Sequence, residues 1–152
     1  MRKLSSQETA PGEKPHYWLL KFAPFRTAWS DIVRRGIFTM RGVRSPAART
    51  FLSEMKRGDQ VLFYHSQQEL AVVGLMEVTR EAYPDPISAD PQWVTCDFAP
   101  VKTLKHSVSL KAIKSDPRFD SFALVRQPRL AVMPISEEQF HVILENAEGG
   151  LK

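Results

Sequence analysis

The sequence predicts an α+β domain, a small mixed β-barrel of about five to six strands with short peripheral helices. Three observations carry that expectation. Runs rich in β-branched and aromatic residues, Gln60 to His65, Ala71 to Arg80 and Trp93 to Pro100, crowd the middle of the chain. A well-patterned helix opened by Ser45-Pro46 lies just ahead of them. The 152 residues, 43% of them hydrophobic, suit one core rather than two.

Residues 1–16 hold Ser, Gln, Glu, Pro and Gly with few apolar side chains, so burial cannot offset their ordering entropy. A flexible tail is expected there, a single domain over 17–147, and a short tail at 148–152. Tyr17-Trp18-Leu19-Leu20-Lys21-Phe22 reads as the first strand, ended by Pro24, which lacks a donor and restricts Ala23. Trp29 to Arg35 reads as a short helix stopped by Gly36. From Ser45 to Met55 the capping Ser, the Pro at the first helical position and the spacing of Ala48, Phe51, Leu52 and Met55 predict a helix with one buried face. The three central strands follow, the last two separated by Tyr83-Pro84-Asp85-Pro86, which reads as a turn. Val108 to Ser115 reads as a short helix ended near Asp116-Pro117, and Arg129 to Met133 as a strand. A terminal helix from Ser136 to Asn146 opens on the capping box Ser136-x-x-Gln139. There are no internal repeats.

The net charge of +4 is unevenly spread. Residues 1–60 hold 12 Lys and Arg against 5 acids, and residues 61–152 hold 9 against 12. A basic face meeting a polyanion fits this division, which raises nucleic acid above other partners; ordinary solvated charge is the alternative. The single cysteine, Cys96, cannot form an internal disulfide and sits in a strand pattern, so a reducing cytoplasmic setting is expected. No apolar run approaches the roughly 18 residues of a membrane span, and no signal-peptide segment follows the basic N-terminus. Neither membrane insertion nor secretion is expected.

Leu62-Phe63-Tyr64-His65-Ser66 offers an imidazole, a phenol and a hydroxyl at adjacent strand positions, groups suited to holding a flat polar ligand. Alternation puts Phe63 and His65 on one face and Leu62, Tyr64 and Ser66 on the other. The alternative is a core strand whose Tyr and His only satisfy buried backbone groups. His65 could serve as a general base, but Tyr64, His65 and Ser66 point alternately and form no triad by themselves. Glu77, Asp85 and Asp90 read as solvated or turn-forming acids. His16, His65, His106 and His141 lack the paired spacing of a zinc site, and neither a Gly-rich phosphate loop nor a Gly-x-Ser-x-Gly elbow occurs. No metal or cofactor is expected. Arg44 lies just before the Ser45 helix and Arg49 near its middle, and the free backbone donors at the start of that helix favour negative charge or carbonyl oxygens. In Arg126-Gln127-Pro128-Arg129-Leu130 the amide both donates and accepts, and each Arg offers a planar fork to phosphate, carbonyl or base edges.

In order and spacing, several segments from about Tyr17 to Glu145 resemble the EVE domain family. They are Tyr17-Trp18-Leu19-Leu20-Lys21-x-x-Pro24, Gly42-Val43-Arg44-x-x-x-Ala48-Arg49, Met55-Lys56-x-Gly58-Asp59, Phe63-Tyr64-His65-Ser66, Val73-Gly74, Glu81-Ala82-Tyr83-Pro84-Asp85, Leu124-Val125-Arg126-Gln127-x-Arg129-Leu130 and Val132-Met133-Pro134. The resemblance implies a PUA-like curved β-barrel and a non-enzymatic binding module for modified bases in nucleic acid, above all modified cytosine in DNA. It implies a base pocket drawn from Trp18, Lys21, Gly42, Val43, Arg44, Phe63, Tyr64, His65, Ser66 and Gln127, with Arg49, Arg126 and Arg129 on the nucleic-acid backbone. An extruded base would lie against apolar or aromatic walls at an unstacking cost of a few kcal/mol.

The chain departs from the family pattern inside that presumed pocket. Phe22-Ala23 stands where Ser-Glu is common, Met40 where a Trp is common, Ser45-Pro46-Ala47 where Asn-Tyr-Gln is common, and Ala131 where a Ser is common. Polar readers and a rigid stacking plane give way to small or apolar groups. Altered ligand preference or lost base recognition is expected. Two other readings stand beside the reader: a PUA-like nuclease or base-processing hydrolase using His65 with Arg126 or Lys21, and a protein-interaction scaffold whose pocket is filled by Met40 or Phe22.

Overall fold

The computed structural model describes residues 16–149 apart from Phe25 and Gln68. Its six strands are β1 (Tyr17–Phe22), β2 (Phe38–Thr39), β3 (Gln60–His65), β4 (Ala71–Pro84), β5 (Val94–Ser109) and β6 (Val132–Pro134). They form one mixed sheet in the order β2-β5-β4-β3-β1-β6. At its centre β1 runs parallel to β3, with Tyr17 opposite Gln60 and Phe22 opposite His65, while the other neighbours are antiparallel. The α+β class and the strand number agree with the expectation, but the barrel is not closed. Its edges are a two-residue and a three-residue strand, too short to pair across the opening.

Among the described residues, five α-helices surround the sheet, α1 (Trp29–Arg35), α2 (Pro46–Glu54), α3 (Leu110–Lys114), α4 (Ala123–Arg126) and α5 (Glu137–Gly149), with a 3-10 turn at Pro117–Phe119. Local signals explain their starts and stops. Gly36 ends α1 at φ 78°, the left-handed region that favours glycine, and its N–H donates to the Ile32 carbonyl at 2.8 Å. Ser45 Oγ accepts from the Ala48 N–H at 3.3 Å at the start of α2. Gln139 N–H donates to Ser136 Oγ at 3.1 Å and Ser136 N–H to Gln139 Oε1 at 3.4 Å, the reciprocal capping box of α5. None of these helices is long and apolar enough to cross a membrane. Residues 1–15 of the expected N-terminal tail, and 150–152 at the other end, lie outside the described residues.

Several expected boundaries are corrected. β4 continues through Tyr83-Pro84, which the sequence suggests is a turn, because Tyr83 and Pro84 still pair with Thr95 and Val94. β5 runs on to Ser109, so Val108 belongs to a strand rather than a helix, and α3 begins only at Leu110 behind the Ser109 cap. Arg129 to Ala131 lie outside β6, which starts at Val132.

Alternation along β1 and β3 divides the interior in two. Trp18, Leu20, Phe22, Val61 and Phe63 join α1 and α2 residues in one core. Leu19, Leu62 and Tyr64 join Phe119, Phe140 and Ile143 in the other. Both faces of the sheet are therefore covered, and the polar ends of β1 and β3 are left as the place where a cavity can open.

Candidate functional site

A cavity of ≈ 400 Å³ opens where β1 and β3 end, within the range of small-molecule sites. Its floor is apolar: Phe22, Met40, Val43 and Ala48 are all buried. Thr95 Oγ1 donates to the Met40 carbonyl at 2.7 Å and holds that part of the floor in place. Lys21, Arg26, Arg41 and Arg44 stand around it, with Ser45, Ser66 and the exposed Gln67. Among the described residues, no Asp or Glu lines it. Phe22 and Met40 line this space and leave it open, which counts against a filled, vestigial pocket.

The Gly42-Val43-Arg44 turn forms one wall through the carboxylate of Asp85, which the sequence suggests is solvated or turn-forming and which the fold buries. Asp85 is 1% exposed. Its Oδ2 accepts from the Gly42 N–H at 2.7 Å and from Arg44 Nη1 at 3.1 Å, and its Oδ1 accepts from the Ile87 N–H at 3.0 Å. Gly42 sits at φ 87°, a conformation that a side chain would strain. Burial by itself would raise the Asp85 carboxyl, but the Gly42 and Ile87 amides and the Arg44 guanidinium hold it below the ordinary 3.8. A lowered folded-state pKa stabilises fully above the unfolded value and fades as pH falls through the folded one. Melting measured from about pH 6 to about pH 3 should therefore show the advantage of the wild type over Asp85→Asn narrowing at the acid end.

Of the residues singled out from sequence, the fold brings Lys21, Gly42, Val43, Arg44 and Ser66 together at this cavity. Lys21 is half-buried, its pKa is lowered by desolvation, and Nζ donates to the Pro128 carbonyl at 2.5 Å. Ser66 lies just past β3, where its N–H donates to the Phe22 carbonyl at 3.0 Å and strand alternation no longer governs its direction.

The others sit elsewhere. Trp18 is buried in the first core with Nε1 donating to Asp59 Oδ2 at 2.9 Å. Phe63 is wholly buried, 5.5 Å from the Phe38 ring and 5.6 Å from the Trp29 ring. Tyr64 belongs to the second core on the opposite face of the sheet, where burial pushes its phenol up to about 12. His65 Nε2 accepts from the Trp29 N–H at 3.2 Å while Nδ1 lies 3.5 Å from Glu69, so the imidazole braces the start of α1. Gln127 and Arg129 border a neighbouring recess of ≈ 440 Å³ with Ser45, Pro128 and Leu130. Arg126 closes α4 and its Nε donates to the Asp120 carbonyl at 2.5 Å. Arg49 donates to Gln92 Oε1 and stacks 5.0 Å from the Trp93 ring centroid, with Arg44 at 5.8 Å from the same ring.

Sequence reasoning passed over Arg26, Arg41 and Gln67, which carry no local motif. Of the positions that depart from the family pattern, Phe22, Ala23, Met40, Ser45 and Ala131 line the cavity, and Pro46 and Ala47 are not among its lining residues.

An open curved sheet with a cavity at the end of its central parallel strands is a PUA-like architecture. The chain belongs to the EVE domain family, whose model matches residues 16–146. A protein from Agrobacterium tumefaciens has 35% identity and a TM-score of 0.85, with 90% of this chain and 94% of that one covered. Mouse thymocyte nuclear protein 1 is 34% identical over 85% of this chain, which spans 63% of that relative's length. The human protein, solved in complex with DNA containing 5-methylcytosine, has 27% identity and a TM-score of 0.78, covering 88% of this chain and 98% of the solved one.

Proposed function

We propose that this domain is a non-enzymatic reader that takes one modified base of DNA, swung out of the stack, into the cavity between Lys21 and Arg44. The cavity itself carries the reading: an apolar floor of Phe22, Met40, Val43 and Ala48 suits a base face, and a rim of four cations suits the polyanion around it. The solved complex of human thymocyte nuclear protein 1 with 5-methylcytosine DNA supports the same class of ligand. The lining argues for a changed preference within that class. An exocyclic amine of cytosine is best read by an acceptor such as a carboxylate, and among the described residues none lines this cavity. A hydrolytic role for His65 finds less support, because its Nε2 lone pair is taken by the Trp29 N–H.

Titration with duplexes that differ only in one modified pyrimidine tests the reading. The wild type should prefer at least one modified duplex over its unmodified twin. Ser66→Phe, a half-exposed position on the cavity, should abolish that preference while leaving weak general DNA binding. Tyr64→Phe should leave the preference unchanged, because its ring lies in the other core. Equal, negligible affinity of the wild type for every duplex at low salt would overturn the proposal.

A further inference from the structure

Beside the cavity, and sharing Phe22, Arg26 and Arg41 with it, lies a recess of ≈ 310 Å³ that also carries Thr27, Arg35 and Thr39. Among the described residues, three guanidiniums border it and no carboxylate does. The acids that touch this region are already engaged. Asp31 accepts from the Ala28 N–H at 3.2 Å and pairs with Arg34 at 3.0 Å, so Arg35 acts on it only through space. Asp97 Oδ1 accepts the hydroxyls of Thr39 at 2.8 Å and Tyr83 at 2.6 Å. Arg26 is braced, with its Cζ 4.6 Å from the Phe22 ring centroid and Nη2 donating to the Arg41 carbonyl at 3.3 Å, which leaves further N–H groups free. Among the described residues, neither the Arg35 nor the Arg41 side chain has a hydrogen-bond or ion-pair partner.

Like charges gathered without a counter-charge repel one another, and a phosphate answers that repulsion while its oxygens match the forked guanidinium donors. Because the recess and the cavity share three lining residues, an anion in one lies next to a base in the other. We infer that the Arg26-Arg35-Arg41 recess holds a backbone phosphodiester of the strand whose base enters the cavity. This inference rests on the base-reading function proposed above, and it assigns the sequence-independent part of the affinity to these arginines. The recess of Gln127 and Arg129 also adjoins the cavity, sharing Ser45 with it.

The test is fluorescence anisotropy with a duplex carrying the preferred modified base and its unmodified twin, over a series of salt concentrations. Arg35 lines the recess but not the cavity, so Arg35→Gln should weaken both duplexes by the same factor and leave their ratio intact. It should also lower the slope of log affinity against log salt by about 0.9, the loss of one phosphate contact. Arg35→Glu should weaken binding further, and Arg34→Gln, already paired to Asp31, should leave the slope as it is. An unchanged slope in Arg35→Gln and Arg35→Glu overturns the phosphodiester site. A wild type that binds both duplexes equally, with the slope still falling in Arg35→Gln, overturns the base reading and leaves the phosphate site standing. Failure of the wild type to bind either duplex at low salt overturns both.

Discussion

Asp59→Ala is expected to cost the domain about 3 kcal/mol, read as a fall in the urea midpoint at unchanged m-value. The carboxylate is wholly buried. Oδ2 accepts from Trp18 Nε1 at 2.9 Å and from the Lys56 N–H at 3.0 Å, and Oδ1 accepts from the His16 N–H at 3.2 Å. Truncation strands the buried Trp18 indole N–H, at about 1–3 kcal/mol, and removes the acceptor of the part-buried Lys56 amide as well. Asp59→Asn should recover only part of the loss, since one oxygen is exchanged for an NH2 that faces donors. The same carboxylate ties the turn before β3 to β1, the two strands that carry Ser66 and Lys21 to the cavity. A midpoint for Asp59→Ala equal to that of the wild type would show that this anchor contributes nothing.

Gly74→Ala should be of similar size, about 3 kcal/mol, for the opposite reason: it adds an atom where there is no room. A Cβ at Gly74 would lie 2.2–2.5 Å from the Trp29 ring. That ring cannot swing away cheaply, because Nε1 donates to Thr103 Oγ1 at 2.8 Å and the Trp29 N–H is held by His65. Gly74 pairs with Phe63 on one side and Thr103 on the other, so the indole lies across the middle of the sheet. Made in a Trp29→Leu background, the same Gly74→Ala change should cost far less, and that coupling is the decisive measurement. Equal costs in the two backgrounds would mean that the indole is not the obstacle.

Both effects come from contacts between segments far apart in the chain, and this divides what the sequence makes legible from what it hides. β1, α1, α2 and α5 are readable from their own residues, through Pro24, Gly36, the Ser45 cap and the Ser136-Gln139 box. The second half of β5 is not. Of Val101 to Val108 only Leu104 and Val108 are buried, four residues apart, which mimics a helical period. Register shifts along the β4–β5 pair produce that spacing, and a bulge leaves no mark in composition. β2 spans two residues and exists only because Phe38 and Thr39 meet Phe98 and Asp97.

The site divides in the same way. Motif order was enough to point to the EVE family, and Lys21, Gly42, Val43, Arg44 and Ser66 of that reading do meet at the cavity. Trp18, Phe63 and Tyr64 belong to the same motifs but serve the two cores, and His65 serves the start of α1. Asp85 reads as a turn residue until the fold lays it against Gly42 and Arg44, and Arg26 and Arg41 gain a role only once they share a wall. By itself the sequence determined β1, α1, α2 and α5, the family and the uneven charge, because caps, turns and alternation act within a few residues. Which side chains face the cavity, whether the sheet closes, and where Arg26, Arg35 and Arg41 gather were decided by tertiary structure alone. A cavity is the space left when distant elements pack, and no spacing along the chain encodes it.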